Sequence, residues 1–215
     1  MATGRPRRVI LLAPPLAGKS TQAGPVARLL GVPHVSTGEL LRSHRERDTE
    51  IGRAAAAHMA RGELVPDDLV LAVVSERLSG PEAAGGIVLD GVPRDLSQAE
   101  ALDGDPRTRP DLVVLLDVPD GEVRRRAGGR RRCPRGHVYH LTDRPPRVRG
   151  RCDVDGEPLA HRDDDRPEAV ERRLAEYRSK TGPVIDRYRR RGVLRVVDAT
   201  GAPEEVTARL VATLS

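Results

Sequence analysis

The sequence predicts an α/β fold in which a parallel sheet is sandwiched between helices. Short apolar runs recur along the chain, and the first of them ends at Pro14-Pro15. Segments with the 3.6-residue period of an amphipathic helix separate these runs. Strands that alternate with helices favour a parallel sheet with both faces covered, because each crossover helix returns the chain across one face.

The first apolar run, residues 8–13, is typical of a fully buried strand. A turn that contains Gly18 follows it, and apolar residues at helical spacing then predict a helix that ends at Gly31. Further strands are predicted at the apolar runs 87–89, 112–116 and 193–197. Residues 38–79 are expected to be helical throughout, as a segment inserted between the first and later strands.

Residues 130–166 differ from the rest of the chain in composition. They are rich in Arg, Asp, Pro and Gly, contain Cys133 and Cys152, and lack a long apolar period. Such a stretch is too long for a simple connection, which leaves a small subdomain, a lid or disorder. Beyond it, apolar residues from Val170 to Tyr188 recur at helical spacing, and Pro183 is expected to kink that helix.

Composition limits the class of protein. The chain has 215 residues, 38% of them hydrophobic and 32% charged, which fits a soluble domain with a core of Val, Leu, Ile and Ala. No apolar run reaches the length of a membrane span, and the stretch 9–13 is too short for a signal-peptide core. Two cysteines cannot form the disulfide framework of a secreted domain. A cytoplasmic protein without a membrane partner is therefore expected, and we expect it to be a monomer.

The cationic residues are almost all arginine. Of 37 Lys and Arg residues only Lys19 and Lys180 are lysine, and the net charge is +5. Arginine binds phosphate through a rigid bidentate fork, although most of these side chains are expected on a solvated surface. Readers of single-stranded nucleic acid need aromatic stacking platforms, and this chain has no Trp or Phe. An anionic small molecule is thus favoured over nucleic acid.

The turn after the first strand carries Gly18-Lys19-Ser20-Thr21. Backbone N–H groups at a helix N-terminus bind phosphate, the lysine contacts the terminal phosphates, and a hydroxyl faces Mg²⁺. The full pattern G-x-x-x-x-G-K-[ST] is incomplete, since its first position is Ala13. A lysine here is informative, because the chain uses arginine nearly everywhere else. The turn therefore predicts a phosphate-binding loop.

More motifs follow in order: Ser36-Thr37-Gly38-Glu39-Leu40-Leu41-Arg42, Gly62-Glu63-Leu64-Val65-Pro66-Asp67-Asp68, Leu89-Asp90-Gly91-Val92-Pro93-Arg94 with Gln98-Ala99-Glu100, Gly129-Arg130-Arg131, and His161-Arg162-Asp163-Asp164-Asp165 with Arg172-Arg173-Leu174. Each is weak alone. In this order and spacing the chain resembles the adenylate kinase family, in its long-lid form, over nearly its whole length.

The resemblance implies a P-loop NTPase-type sheet and the Mg²⁺-dependent reaction ATP + AMP = 2 ADP. It implies a core of residues 1–35, 66–129 and 167–215, a helical insertion for the nucleoside monophosphate at 36–65, and a lid at 130–166. It places ATP on Leu16, Ala17, Gly18, Lys19, Ser20, Thr21, Arg126, Arg130, Val138, Tyr139 and Gly201.

The resemblance places AMP on Thr37, Arg42, Glu63, Leu64, Val65, Gly91, Val92, Pro93, Arg94, Gln98, Arg162 and Arg173, with Gln98 reading the adenine edge. It assigns catalysis to Lys19, Arg94, Arg130, Arg162 and Arg173. Asp90 would orient Mg²⁺ through water. The chemistry agrees, because AMP phosphate is already an anion, and catalysis then requires positioning and charge neutralisation instead of a general base.

Members of this family often carry zinc in the lid. Here Cys133 and His137 in one loop, with Cys152 and Asp155 in another, would complete a tetrahedral structural zinc site. His140 is an alternative ligand from the first loop. A lid held by hydrogen bonds or packing, or two idle thiols, are the alternatives without metal.

The phosphate loop departs from the family pattern. Ala13, Leu16 and Ser20 stand where the family has glycine, and Val92 replaces its usual Phe. Glycine adopts positive φ without steric cost, so the bulky Leu16 is the departure of most consequence. A paralogue acting on another nucleoside monophosphate, or a nucleotide-binding protein with little catalysis, are therefore the alternatives. The set of five catalytic cations argues against the second.

Overall fold

The computed structural model describes residues 7–61, 65–80 and 83–214. The main sheet contains β1 (Arg8–Leu12), β2 (His34–Ser36), β3 (Ile87–Asp90), β4 (Leu112–Asp117) and β7 (Leu194–Asp198). These strands are parallel and lie in the order β2-β3-β1-β4-β7. The predicted parallel sheet is therefore confirmed.

Helices cover both faces of this sheet. They are α1 (Lys19–Leu30), α2 (Thr37–Glu46), α3 (Glu50–Arg61), α4 (Asp67–Leu78), α5 (Leu96–Gly104), α6 (Asp120–Gly129), α7 (Pro167–Glu176), α8 (Gly182–Arg190) and α9 (Pro203–Leu214). None of the helices in the described part of the chain is long and apolar enough to cross a membrane.

Alternation along β1 explains why the core has two layers. Val9 and Leu11 belong to one buried cluster, while Ile10 and Leu12 belong to the cluster on the opposite face. All four are at most 3% exposed, as expected when a parallel strand is covered on both sides. Each such side chain contributes roughly 1.5–3 kcal/mol by burial.

The sequence pattern identified four of the five strands of the main sheet and missed β2. That strand is only three residues long and begins with His34, so it lacks a recognisable apolar run. It pairs with β3, and Ser36 lies opposite Asp90 in the register. The inserted segment was expected to be helical throughout; it contains the three helices α2, α3 and α4, and a turn at residues 47–49 separates α2 from α3.

Residues 130–166 form a small unit of their own. β5 (Arg130–Arg132) pairs antiparallel with β6 (Val138–His140), and an isolated bridge joins Arg132 to Ala160. The buried apolar residues are few, namely Cys133, Tyr139 and Cys152 with Leu159 packed against them. The predicted lid segment is thus held by short strands, tight turns and polar contacts.

A π-helical turn, Tyr177–Thr181, joins α7 to α8 in one continuous helical run. Pro183 lies in the first turn of α8. A proline cannot donate the usual i→i−4 bond, and a widened turn is one way in which a helix accommodates an interrupted ladder. The sequence predicted a kink at Pro183, and the structure shows a π-helical turn directly before α8.

Candidate active site

The carboxyl ends of β1, β2, β3 and β7 open into a cleft of about 1290 Å³. Ligands of open α/β sheets bind at this edge. Loops after β1, β3 and β7 form the floor, and residues of β5, β6 and α7 form the opposite wall. The site therefore lies between the main sheet and residues 130–166.

The phosphate loop enters α1 through a left-handed residue. Gly18 has φ 84° at the N-cap of α1, and its carbonyl accepts hydrogen bonds from the N–H groups of Thr21 and Gln22. Leu16 also adopts a positive φ, 63°, which supports the expectation that the loop needs glycine-like geometry at this position. Its side chain packs against the buried cluster next to β1. Residues 16–21 all line the cleft.

Lys19 and Ser20 meet Asp90 at the floor of the cleft. The Lys19 Nζ is 3.0 Å from Asp90 Oδ1, and the Ser20 hydroxyl donates to Asp90 Oδ2 at 2.9 Å. Asp90 is the last residue of β3 and is 3% exposed. The buried end of one strand thereby holds both side chains of the phosphate loop in place.

The charges of Lys19 and Asp90 depend on each other. Burial raises the pKa of Asp90, but His34, Lys19 and Ser20 outweigh that effect, and the net pKa lies well below the ordinary aspartate value. Burial lowers the pKa of Lys19, and nearby Arg94 adds to this, while Asp90 opposes it. Asp90 is therefore an ionised carboxylate beside the loop at neutral pH.

Arg126 connects two loops of the floor. Its guanidinium donates to the Leu16 carbonyl at 3.3 Å and to the Ala199 carbonyl at 2.8 Å. Glu122, one turn earlier on α6, accepts from the Arg126 Nε at 2.8 Å. The phosphate loop and the loop after β7 are thus joined through one side chain, which lines the cleft as predicted.

The arginines of the opposite wall are held by the acidic segment 163–165. Arg130 donates both Nε and Nη2 to the buried Asp165, at 2.7 and 2.6 Å. Arg162 pairs with Asp164 at 2.7 Å, and Arg173 donates to the Asp164 carbonyl at 3.2 Å. Bidentate and backbone contacts of this kind fix guanidinium orientation. Three predicted cations therefore converge on the cleft.

Several predicted AMP residues surround the end of β3. Arg94 lines the cleft, its Nε donates to the Gly91 carbonyl at 3.0 Å, and burial lowers its pKa. Arg42, Gly91, Val92 and Pro93 also line the cleft.

Three further predicted AMP residues do not line the cleft, although they lie near it. The Thr37 hydroxyl is 3.5 Å from the Asp90 carbonyl, and Val65 is buried. Gln98 is 2% exposed, and its amide donates to Asp67 at 2.6 Å and accepts from the Arg94 N–H at 2.8 Å. Glu63 and Leu64 lie outside the described residues.

The residues predicted to contact the base of ATP belong to the same cleft. Val138, Tyr139 and Gly201 line the cleft. Sequence motifs did not identify Arg132, Lys180 or Tyr177, which line it as well. For Arg132 a signal was available, since it follows Arg130 by two residues on a strand and so shares its face. Lys180 and Tyr177 lie in the helical run after α7, and their position in the cleft can be recognised only once the orientation of that run is known.

The four predicted zinc ligands lie together in residues 130–166. One ligand atom from each of Cys133, His137, Cys152 and Asp155 falls within 4.8 Å of the others. The His137 Nδ1 is 3.3 Å from both sulfurs and 3.0 Å from Asp155 Oδ2. The alternative ligand His140 is absent from this cluster, and its Nδ1 instead accepts hydrogen bonds from the N–H groups of Thr142 and Asp143.

The ionisation of the cluster suits a cation. A hydrogen bond with the Cys152 thiol lowers the pKa of Asp155 to about 2, so its carboxylate is charged at neutral pH. Burial raises the pKa of Cys133, which keeps it a thiol unless a cation is present. Two sulfurs, one imidazole nitrogen and one carboxylate are a donor set that zinc accepts in a closed tetrahedral site.

Comparison with known proteins gives consistent matches. The family model described as adenylate kinase matches residues 11–193. The adenylate kinase of Streptomyces avermitilis is 45% identical over 207 residues, 94% of each chain. That of Anaeromyxobacter dehalogenans strain 2CP-1 is 48% identical over 204 residues, 93% of this chain and 95% of the relative. That of Methanothrix thermoacetophila is 42% identical over 210 residues, which are 96% of this chain and 98% of the relative. The similarity therefore spans the sheet, the helical insertion and residues 130–166.

Proposed function

This chain belongs to the adenylate kinase family, and from that premise we propose that its cleft transfers the terminal phosphoryl group of ATP to AMP. Its relatives make it a phosphotransferase of the adenylate kinase type. The assignment of substrates and roles to individual residues is our inference. The observation that carries it is the convergence of Lys19, Arg94, Arg130, Arg162 and Arg173 on one cleft.

The chemistry needs little beyond this convergence. The phosphate of AMP is an anion at neutral pH and can attack without a general base. What the enzyme must supply is alignment of two nucleotides and neutralisation of the charge shared between their phosphates. Arginine keeps its charge under all relevant conditions, so a ring of arginines meets this demand.

We assign the phosphates of ATP to the loop of residues 16–21 and to Lys19. The positive end of α1 and the N–H groups at its first turn favour an anion there. Lys19 lies on Asp90 at 3.0 Å, so the incoming phosphates would compete with this carboxylate for the ammonium group. Arg130, Arg162 and Arg173 line the same cleft from the opposite wall.

The family generally uses Mg²⁺, and the residues present fit it. Asp90 offers an ionised carboxylate and Ser20 a hydroxyl 2.9 Å away, both oxygen donors of the kind that this ion prefers. Bound with ATP, Mg²⁺ would neutralise phosphate charge. Asp90 and Ser20 would hold its position, directly or through water.

The acceptor is the less constrained of the two substrates. Arg42 and Arg94 supply charge for its phosphate, and both line the cleft. The amide of Gln98, which we propose reads adenine, is engaged by Asp67 and by the backbone of Arg94. It would have to exchange the Asp67 bond for one to the base. For this reason another nucleoside monophosphate is the second candidate acceptor.

We propose a structural zinc at Cys133, His137, Cys152 and Asp155. The cluster is compact and joins two loops that otherwise share a very small apolar core. A closed four-ligand site of this kind would fix the wall that carries Arg130 and Val138.

An ADP-formation assay across AMP, CMP, UMP and GMP, with ATP and Mg²⁺, tests the proposal. We expect turnover with AMP to exceed the others by at least about tenfold. Preference for a different monophosphate would replace the acceptor but keep the reaction class. Nucleotide binding with no ADP formation from any of the four would contradict the proposed catalysis.

A further inference from the structure

Arg132 shares the cleft-facing side of β5 with Arg130. Side chains alternate along a strand, and the intervening Arg131 turns away and donates to the carbonyls of Gly128 and Arg130. The backbone of Arg132 is held in both directions by Ala160, with N–H to carbonyl distances of 3.0 Å each way. The strand therefore presents the Arg132 guanidinium to the cleft from a fixed base.

The loop after β5 leaves room for this guanidinium. Gly136 has φ 99°, and a Cβ there would lie 2.9 Å from the Arg132 Nη2. A side chain at residue 136 would thus displace the Arg132 head group. Arg130 has a bidentate carboxylate partner in Asp165, whereas Arg132 has no hydrogen-bond or ion-pair partner for its guanidinium within residues 7–61, 65–80 and 83–214.

The surroundings of Arg132 are positive. Arg42, Arg130 and Arg162 line the same cleft as Arg132, and Arg130 lies two residues away on the same strand. A half-buried guanidinium among like charges, with none of its donors satisfied by the described residues, is costly unless an anion occupies the site. Its neighbour Arg42 belongs to the proposed acceptor side, whereas Lys19 pairs with Asp90 on the floor.

We propose that Arg132 is a binding residue for the phosphate of the acceptor nucleotide, acting beside Arg42 and Arg162. This inference rests on the proposed function, since it takes the acceptor to be a nucleoside monophosphate in this cleft. No family motif in the sequence assigns Arg132 a role.

The test compares three variants with the parent. Arg132→Gln removes the charge and keeps much of the length, Arg132→Lys keeps the charge, and Arg131→Gln is the matched control on the same strand. Each is assayed for kcat and for the KM of AMP and of ATP. Calorimetry measures AMP affinity in the presence of a saturating non-hydrolysable ATP analogue, and thermal unfolding verifies the fold.

We expect Arg132→Gln to weaken AMP binding and raise the KM for AMP by about tenfold or more, the usual effect of losing a charge-assisted hydrogen bond. The KM for ATP should stay within about twofold, Arg132→Lys should recover most of the loss, and Arg131→Gln should match the parent. AMP affinity unchanged in Arg132→Gln, a shift in the KM for ATP alone, or an equal loss in Arg131→Gln would each overturn the proposal. A parent that binds AMP but forms no ADP would instead contradict the proposed function, and the calorimetry would still decide the role of Arg132.

Discussion

The main sheet and residues 130–166 are stabilised in different ways. Strand β1 buries apolar side chains on both faces, with Val9, Ile10 and Leu11 each at most 1% exposed. The lid segment has only Cys133, Tyr139, Cys152 and Leu159 as an apolar cluster. The rest of its order comes from tight turns, ion pairs and a group of four polar ligand atoms. In the sheet, the residues that stabilise the fold differ from those that line the cleft. In the lid, polar residues serve both purposes.

This contrast has a consequence for substitutions. A change in the loops at the edge of the sheet should alter the chemistry while the core remains intact, since the core lies in layers beneath them. A change among the polar residues of the lid should alter stability and chemistry together. The predictions below test this difference.

The largest effect is expected from Lys19→Ala. The variant loses the one ammonium group on the phosphate loop, and kcat should fall at least about a hundredfold, as when a charge-stabilising donor is removed elsewhere. The free energy of unfolding should fall only modestly, because the buried Asp90 keeps its contacts with the Ser20 hydroxyl and with His34 when Lys19 is removed. Kinetics together with thermal unfolding measure both quantities.

A suitable control is Arg189→Ala, which removes an exposed cation from α8 far from the cleft and should leave both quantities near the parent values. If Lys19→Ala turned over at near the parental rate, the assignment of the phosphate loop would be wrong.

Cys152→Ser should produce the next largest effect, and it should be confined to the lid. We expect close to one zinc per chain in the parent and a large loss of bound zinc in the variant, because a thiolate ligand is removed with little change in size. The lid should then unfold before the sheet and at a lower temperature than in the parent. Metal analysis and calorimetric unfolding, with and without chelator, measure this.

Val154→Ala is the matched control, since Val154 is 70% exposed on the same loop and offers no ligand. If the parent contained no zinc, and if neither chelator nor Cys152→Ser changed the unfolding temperature, hydrogen bonds and packing would be what holds the lid.

The same contrast explains what could be predicted from the sequence. Apolar runs such as 112–116 identify buried strands because period and burial are local properties. The lid cluster was predictable only from the family resemblance, since four ligands split between two loops have no local period. β2 was missed because three residues carry too little pattern, and the inner partners of Gln98 depend on contacts between distant helices. The proposed role of Arg132 required the structure, because only the structure shows that this residue of β5 lines the cleft with Arg130.

Gln98→Ala is expected to have an intermediate effect. Loss of a hydrogen bond to the base should raise the KM for AMP by the equivalent of about 1–3 kcal/mol and loosen discrimination among monophosphates. The KM for ATP provides the internal reference and should not move. Because Gln98 also bonds Asp67, a small loss of stability should accompany the change. An unchanged preference across the four monophosphates would remove Gln98 from the site.

The smallest effect concerns Leu16. A side chain at φ 63° costs roughly 1–2 kcal/mol, which glycine would recover. Against this, Leu16→Gly loses roughly 1 kcal/mol of packing and roughly 0.5–1 kcal/mol through a more flexible unfolded loop. Stability should therefore change by about 1 kcal/mol or less, while kcat rises a few-fold as the loop approaches phosphate more easily.

Ala13→Gly is the paired variant and should be close to neutral, since no positive φ occurs at Ala13. A double variant less active than the parent would show that the loop with Leu16 already binds nucleotide well in its own conformation.

The contacts of Arg126 also fix the distance between two loops of the cleft. One planar group bridges the carbonyls of Leu16 and Ala199, and so sets the spacing between the loop that receives phosphate and the loop next to Gly201. A nucleotide that contacts both of these loops must have a length that matches the distance between them. A ligand of this cleft is therefore selected by its length as well as by its charge, because a single guanidinium holds the two loops at one spacing.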